Sequence, residues 1–160
     1  MVLPLSITLL VIHLFHQIRT SNSLSWKVCN DNDSPIILNN ISIQPDPIKI
    51  PGKISIAGSF YVNKSISLPK IEVEVLKKLL FWWKLPCINA KCTYDLCELL
   101  HLESSCVLNT GYLNFPQTTF DIPQSPLLSF WTAGEYNAKV HLKSNEVNVG
   151  CFDLYFDVET

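Results

Sequence analysis

Six cysteines are the most chemically informative residues in this chain of 160 residues. Four of them are clustered in the centre of the chain: Cys87, Cys92, Cys97 and Cys106. A bridge between the other two, Cys29 and Cys151, would close a loop over almost the whole chain and stabilise it by about 4 to 5 kcal/mol. A zinc site is disfavoured, because no two cysteines have the C-x-x-C spacing of a zinc knuckle. The even number therefore predicts three disulfides, two of which close local loops among the four central cysteines.

The carboxylates of Glu72 and Glu74 have the residue type that general acid–base catalysis uses. They alternate with apolar residues over positions 71–75, however, which is typical of the solvent-facing side of a strand. His101 and His141 belong to no metal-binding or nucleophile motif. We therefore predict no catalytic residue, no metal site and no cofactor, and we favour a binding protein over an enzyme.

Two clusters of large apolar residues are the other candidate functional groups. The first aromatic cluster is Leu80, Phe81, Trp82 and Trp83, and the second aromatic cluster is Leu127, Leu128, Phe130 and Trp131. Tryptophan suits a membrane surface, because its apolar body enters lipid while its N–H stays among the headgroups. The alternative is that both clusters are core, and the period of two in a strand leaves this open for alternate residues of the first. The second lies between Pro126 and Gly134, which favours an exposed loop.

The composition is that of one folded domain. With 48% hydrophobic and 16% charged residues, the chain has enough apolar side chains for a core and too few charges for disorder. Residues 3–15 form an apolar block that is too short to span a bilayer and is followed by small polar residues. We predict a secretory signal peptide at residues 1–23 and a single folded domain at residues 24–160.

The predicted mature chain carries little clustered positive charge. Arg19, the only arginine, lies in the predicted signal peptide, which leaves 11 lysines against 14 acidic residues. Proteins that bind nucleic acid usually have clustered cations and arginine side chains for phosphate and guanine. A nucleic-acid partner is therefore excluded.

Three Asn-x-Ser sequons predict N-glycosylation at Asn32, Asn40 and Asn63. Together with the disulfides they place the protein in the secretory pathway, with the lysosome or the extracellular space as its destination.

Period-two alternation predicts the secondary structure. Three segments show it most clearly: residues 54–62, 71–75 and 136–142. Gly58 predicts a bulge or bend in the first of these, and a change of parity predicts a one-residue bulge near residues 150–152. Residues 93–102 are the only helical candidate, and glycines and prolines leave space for a short strand at residues 118–122. About eight short strands and one short helix indicate an all-β antiparallel sandwich or open barrel.

Several motifs in this chain resemble the ganglioside-activator branch of the ML lipid-recognition family. They are Ser25-Trp26-x-x-Cys29, residues 45–52, Trp82-Trp83-Lys84-Leu85-Pro86-Cys87, Cys92-Thr93-Tyr94-x-x-Cys97, Trp131-Thr132-Ala133-Gly134-x-Tyr136 and Gly150-Cys151. Their order and spacing run through the whole predicted mature chain. The resemblance implies a β-cup, in which two antiparallel sheets enclose an apolar lipid cavity.

The resemblance also implies the disulfide pairing: Cys29 with Cys151, Cys87 with Cys92, and Cys97 with Cys106. The family usually has a fourth disulfide in a longer segment before the position of Cys106. Here that segment is shortened and both of those cysteines are absent.

In function, the resemblance implies a non-enzymatic lipid carrier that docks on a membrane and presents or transfers a glycolipid or phospholipid. We expect the two aromatic clusters to lie at the rim of the cup and to enter the membrane surface. The implied protein partner is a lysosomal hydrolase of the hexosaminidase type. The alternative is a secreted lipid-recognition protein in signalling or immunity that activates no hydrolase, and a hydrolase in its own right is the third hypothesis.

Overall fold

The computed structural model describes residues 24–29, 34–67, 69–87, 92–99, 106–122 and 132–160. Four features of the sequence lie outside these ranges: the predicted signal peptide, the second aromatic cluster, Asn32 and His101.

The described residues form twelve strands and one helix, several of them only two to four residues long. In chain order the strands are β1 (Ser25–Val28), β2 (Ile36–Gln44), β3 (Ile48–Lys49), β4 (Gly52–Val62), β5 (Ile66–Ser67), β6 (Lys70–Lys78), β7 (Trp82–Lys84), β8 (Thr93–Asp95), β9 (Val107–Leu108), β10 (Gly111–Ile122), β11 (Gly134–Ser144) and β12 (Val147–Glu159), and the helix α1 is Leu96–Leu99. The predicted all-β fold with one short helix is confirmed, and the number of strands exceeds the predicted eight because the shortest ones carry no alternation.

The larger sheet has seven strands in the order β1-β12-β11-β6-β7, with β3 beside β12 and β8 beside β6. All pairs are antiparallel except β3 with β12. Side chains alternate between the two faces of a strand, and one face of β11 is buried: Tyr136, Ala138, Val140 and Leu142. A two-residue turn of type I′ joins β11 to β12, since Asn145 and Glu146 both have positive φ angles.

The smaller sheet has the order β10-β4-β2, and β5 pairs with β9 in a separate two-stranded sheet. Phe60 and Val62 of β4 are buried against the inner face of the larger sheet, where the ring of Phe60 lies 6.3 Å from that of Phe152. The two sheets therefore enclose one hydrophobic core, as the resemblance to the ML family implies.

Strand β10 is longer than the predicted strand at residues 118–122. The register shifts between Phe115 and Thr118, so Pro116 and Gln117 form a bulge and the missing N–H of the proline is not needed in the ladder. The strand also lies at the edge of its sheet, where proline is tolerated. The proline therefore does not end the strand, and the expected boundary was wrong.

The two predicted bulges lie close to the expected positions but not at them. Next to Gly58 the shifts lie in the neighbouring strands β2 and β10, while β4 itself is regular. A Cβ atom at Gly58 would come within 2.8 Å of the Asn40 carbonyl oxygen, so close approach of β2 explains this glycine. In β12 the additional residue is Val149, one position before the predicted 150–152.

Helix α1 begins three residues later than the predicted helix at residues 93–102, whose last three residues lie outside the described ranges. Residues Thr93–Asp95 instead pair with β6, and the Oδ1 atom of Asp95 accepts hydrogen bonds from the backbone N–H groups of Cys97 (2.8 Å) and Glu98 (3.3 Å). Asp95 is thus the N-cap, a position with non-helical backbone angles, and the helix begins after it.

Three disulfides join Cys29 to Cys151, Cys87 to Cys92, and Cys97 to Cys106. These are the pairs that the resemblance to the ML family implies. The first ties the end of β1 to β12, where the backbone N–H of Cys29 also donates to the carbonyl oxygen of Cys151 at 3.1 Å. In the described part of the chain, no helix has the length and apolar character needed to cross a bilayer.

Candidate functional site

The interior between the two sheets is tightly packed at one end. An apolar gap there is lined by Ile36, Phe60, Val62, Leu96, Leu108, Leu113 and Leu142, and it has no space for a water molecule. We call this region the closed end of the cup.

Towards the other end, Ile43 and Tyr136 are buried, whereas six other side chains that face between the sheets are only partly buried. They are Ile54 and Ile56 of β4, Val73 and Val75 of β6, and Phe115 and Ile122 of β10. The strand register shows that Val73 and Val75 face the interior, because they pair with the buried residues Val140 and Ala138. Solvent therefore reaches part of this apolar half of the interior, which we call the open end of the cup.

At the open end, the hairpin between β6 and β7 projects five exposed apolar residues. The exposed fraction of the residue is 60% for Leu79, 98% for Leu80, 59% for Phe81, 41% for Trp82 and 50% for Trp83. We call residues 79–83 the hairpin tip. None of the first aromatic cluster lies in the core, so the period-two alternative does not describe this hairpin.

The hairpin tip has a defined conformation. Lys78 pairs with Trp82 across the ladder, and the N–H of Leu79 donates to the carbonyl oxygen of Phe81 at 3.1 Å. The rings of Phe81 and Trp83 are stacked with centroids 4.9 Å apart. The exposed apolar surface is therefore held in place by backbone hydrogen bonds and ring contacts.

Ion pairs surround the base of the hairpin. The Nζ atom of Lys78 lies 2.6 Å from a carboxylate oxygen of Glu135, and that of Lys84 lies 2.9 Å from one of Glu74. Glu72 pairs in the same way with Lys143, and the hydrogen bond from this lysine lowers the pKa of Glu72. The two glutamates therefore belong to separate surface ion pairs, which explains them without acid–base catalysis.

Lys77 is a charged residue on the inner face of the larger sheet, and it is only 6% exposed. Its ammonium group donates to the carbonyl oxygen of Thr132 at 3.2 Å and to the Thr132 hydroxyl, and it lies 5.5 Å from the ring centroid of Tyr136. The phenol of Tyr136 donates to the same carbonyl oxygen at 2.6 Å. This contact fixes the start of β11 against the hairpin.

Burial changes the protonation behaviour of both groups. Desolvation lowers the pKa of Lys77 below its usual 10.5 and raises the pKa of Tyr136 to about 12. Sequence analysis missed Lys77, although the signal was present: it continues the alternation of Ile71, Val73 and Val75 at the next inward position.

Asp95, Cys97 and Cys106 form a cluster of potential metal ligands whose ligand atoms lie within 4.8 Å of one another. Both sulfur atoms belong to one disulfide, and the carboxylate caps α1. A disulfide supplies no thiolate ligand, so the cluster is explained by the fold.

The second aromatic cluster lies outside the described residues, and its position at the rim stays a prediction. The described chain resumes at Thr132, which contacts Lys77 beside the hairpin.

The model of the ML domain family matches residues 23–158. The chain belongs to the ML domain family. It is 28% identical over 152 residues to the ganglioside GM2 activator of Mus musculus, and the alignment covers 81% of this chain and 79% of the relative. It is 28% identical over 160 residues to the ganglioside GM2 activator of Macaca fascicularis, and this alignment covers 86% of this chain and 84% of the relative.

Among solved structures, a Niemann-Pick type C2 protein from the Japanese carpenter ant has the same fold. The TM-score is 0.56 at 14% sequence identity, over 84% of this chain and 99% of the ant protein. The ML fold with its lipid-binding architecture is thus established for this chain, and the predicted family membership is confirmed.

Proposed function

We propose that this protein binds a glycolipid or phospholipid in its cup, exchanges it with a membrane through the hairpin tip, and does so without catalysing a reaction. The observation that carries the proposal is the position of the hairpin tip, an ordered and exposed apolar surface at the open end of an apolar interior. Carriers of lipid need both features, because the ligand must leave the bilayer without passing through water.

Membrane contact is supported by the exposure of the hairpin tip. Full burial of a leucine or phenylalanine side chain contributes about 1.5 to 3 kcal/mol, and Leu80 is 98% exposed in the free protein. The tryptophans at positions 82 and 83 are amphipathic and suit the headgroup depth. Lys78 and Lys84 at the base of the same hairpin are each paired with a glutamate, so the attraction to lipid comes from the apolar side chains of the hairpin tip.

Lipid uptake would need the cup to widen. The closed end has no space for even a water molecule, whereas side chains at the open end are partly solvated. An acyl chain therefore enters from the open end and separates the two sheets as it advances. Burial of the chain against the residues of both sheets then offsets the loss of packing.

An activator role is supported by the two relatives named ganglioside GM2 activator. In that role, the protein presents the headgroup of a bound glycolipid to a lysosomal hydrolase, such as a hexosaminidase, which performs the reaction. Cleavage of the signal peptide, passage through the secretory pathway and delivery to the lysosome or the extracellular space belong to the same proposal.

The test is glycolipid hydrolysis in vesicles with a purified hexosaminidase, with this protein, and with both. The activator role predicts that the protein alone gives no turnover and that it increases turnover by the enzyme. Lipid extraction without stimulation of the enzyme would favour the secreted lipid-recognition protein instead. Turnover by this protein alone would contradict a non-enzymatic role.

A further inference from the structure

An exposed apolar row crosses the outer face of the smaller sheet. Ile37, Tyr61 and Tyr112 are in register on β2, β4 and β10, and they are 40%, 38% and 79% exposed. The two tyrosine rings contact each other with centroids 5.1 Å apart and planes tilted by 59°. We call these three residues the tyrosine row.

The tyrosine row lies at the end of the molecule opposite the hairpin tip. The carbonyl oxygen of Ile36, in the neighbouring register position, lies 3.1 Å from the Cβ position of Gly150. Gly150 pairs with Leu142 near the β11–β12 turn, whereas Lys77 and the hairpin lie beside Tyr136 at the other end of β11. The tyrosine row is therefore separate from the proposed membrane surface.

A sequon begins immediately after this row. The last pair of the β2–β4 ladder is Ile36 with Val62, and the N–H of Asn63 donates to the carbonyl oxygen of Pro35 at 2.9 Å, which continues the register by one residue. Asn63 therefore lies on the same face as Tyr61, two residues away and about 7 Å along the strand. Asn63 is exposed.

We propose that Asn63 carries an N-linked glycan whose first N-acetylglucosamine packs on the tyrosine row. The donor is an oligosaccharide linked to a polyprenyl diphosphate. The Nδ2 atom of Asn63 forms a bond to C1 of the sugar, the bond from C1 to the diphosphate oxygen breaks, one amide proton is lost, and the lipid diphosphate leaves.

The surface matches the two sides of a sugar ring. The C–H face of a pyranose packs favourably on the electron-rich face of an aromatic ring. Next to the tyrosines, the neighbouring register position on the same face holds Ser59 opposite Asn114, whose polar groups suit the sugar hydroxyls. A membrane would have to cover this polar pair along with the tyrosines, which disfavours lipid as the occupant.

The sequon at Asn40 lies on the same outer face of this sheet. Asn40 is exposed and pairs with Ser59, because the register shift in β2 lies between Leu38 and Asn40. Tyr61 is therefore its diagonal neighbour, about 7 to 8 Å away. A glycan at Asn40 would also reach the tyrosine row, so Asn40 has to be removed from every protein in the test.

The test uses the full chain secreted from eukaryotic cells, with site occupancy measured by glycopeptide mass spectrometry. We expect Asn63→Gln to lower the melting temperature by about 2 to 4 °C. In a Tyr61→Thr/Tyr112→Thr background, which leaves the sequon intact, the same change should shift it much less. All of these proteins also carry Asn40→Gln, so that no second glycan covers the tyrosine row.

A second measurement needs no tyrosine variant and therefore does not depend on their folding. Hydroxyl-radical labelling of Tyr112 is compared between the glycosylated protein and the Asn63→Gln variant. Packing of the sugar predicts less labelling in the glycosylated protein. An unmodified Asn63 in the secreted chain would overturn the proposal, and so would equal labelling of Tyr112 in the two proteins.

Discussion

Truncation of Leu80 separates a membrane-binding role of the hairpin tip from a structural one. Because Leu80 is 98% exposed in the free protein, Leu80→Ala removes almost no packing, and the free energy of unfolding should change by less than about 0.5 kcal/mol. In a lipid surface, the same change removes three carbon atoms from an apolar environment. Complete insertion of the side chain makes this worth about 2 kcal/mol.

A loss of about 2 kcal/mol corresponds to about 30-fold weaker binding, and half insertion corresponds to about 5-fold. The assay is cosedimentation with anionic phospholipid vesicles, with urea unfolding of the same samples as the measure of stability. The matched control is Val147→Ala, because Val147 is 64% exposed but lies at the opposite end of the larger sheet. It should bind vesicles like the wild type.

Two results would refute the reasoning. Unchanged vesicle binding by Leu80→Ala would show that the hairpin tip does not enter the lipid. Equal weakening by Val147→Ala would show that binding follows overall surface apolarity and not this hairpin.

Two further predictions concern stability. Removing the Cys29–Cys151 bridge by paired serine substitutions should cost about 3 kcal/mol more than removing the Cys87–Cys92 bridge, because the bridged residues are 122 and 5 positions apart, and equal losses in thermal unfolding would contradict this. Because the pKa of Lys77 is lowered in the folded state, the unfolded state binds more protons between that lowered value and 10.5, and the free energy of unfolding should rise with pH through this interval. Lys77→Met should flatten this rise, as measured by urea unfolding at a series of pH values. The same slope in the variant and the wild type would be evidence against the prediction.

The strands that form the larger sheet were predictable because their alternation is set by burial on one face. Residues 71–75 of β6 pair with residues 138–142 of β11, and their apolar positions meet on the inner face. Within β12 the apolar residues change from odd-numbered to even-numbered positions, and this change alone predicted a bulge in the strand. It located the bulge only to within a residue, since several neighbouring positions restore the same face.

Features that depend on contacts between distant segments could not be predicted. The bulge that accommodates Pro116 exists because β10 is an edge strand, and the sequence does not show which strands lie at an edge. Helix α1 begins later than predicted because residues Thr93–Asp95 pair with strand β6. Local propensity carries no information about either partner.

The candidate site was predictable in its residues but not in its geometry. The cluster from Leu80 to Trp83 was recognisable from its composition, whereas its exposure depends on a tight turn that lifts both strands away from the core. Lys77 was missed because a lysine at an inward position is costly, and only the carbonyl and hydroxyl of Thr132 satisfy it among the described contacts.

The central claim is that the cup takes up a lipid from a membrane, and direct extraction tests it. The mature protein is incubated with vesicles that contain a radiolabelled glycolipid, the vesicles are removed by centrifugation, and the lipid that remains with soluble protein is counted. The account predicts that labelled lipid accumulates with the protein to a saturating level, and that Leu80→Ala slows the approach to that level. No lipid above a protein-free control, at concentrations at which the wild type binds the vesicles, would contradict the claim.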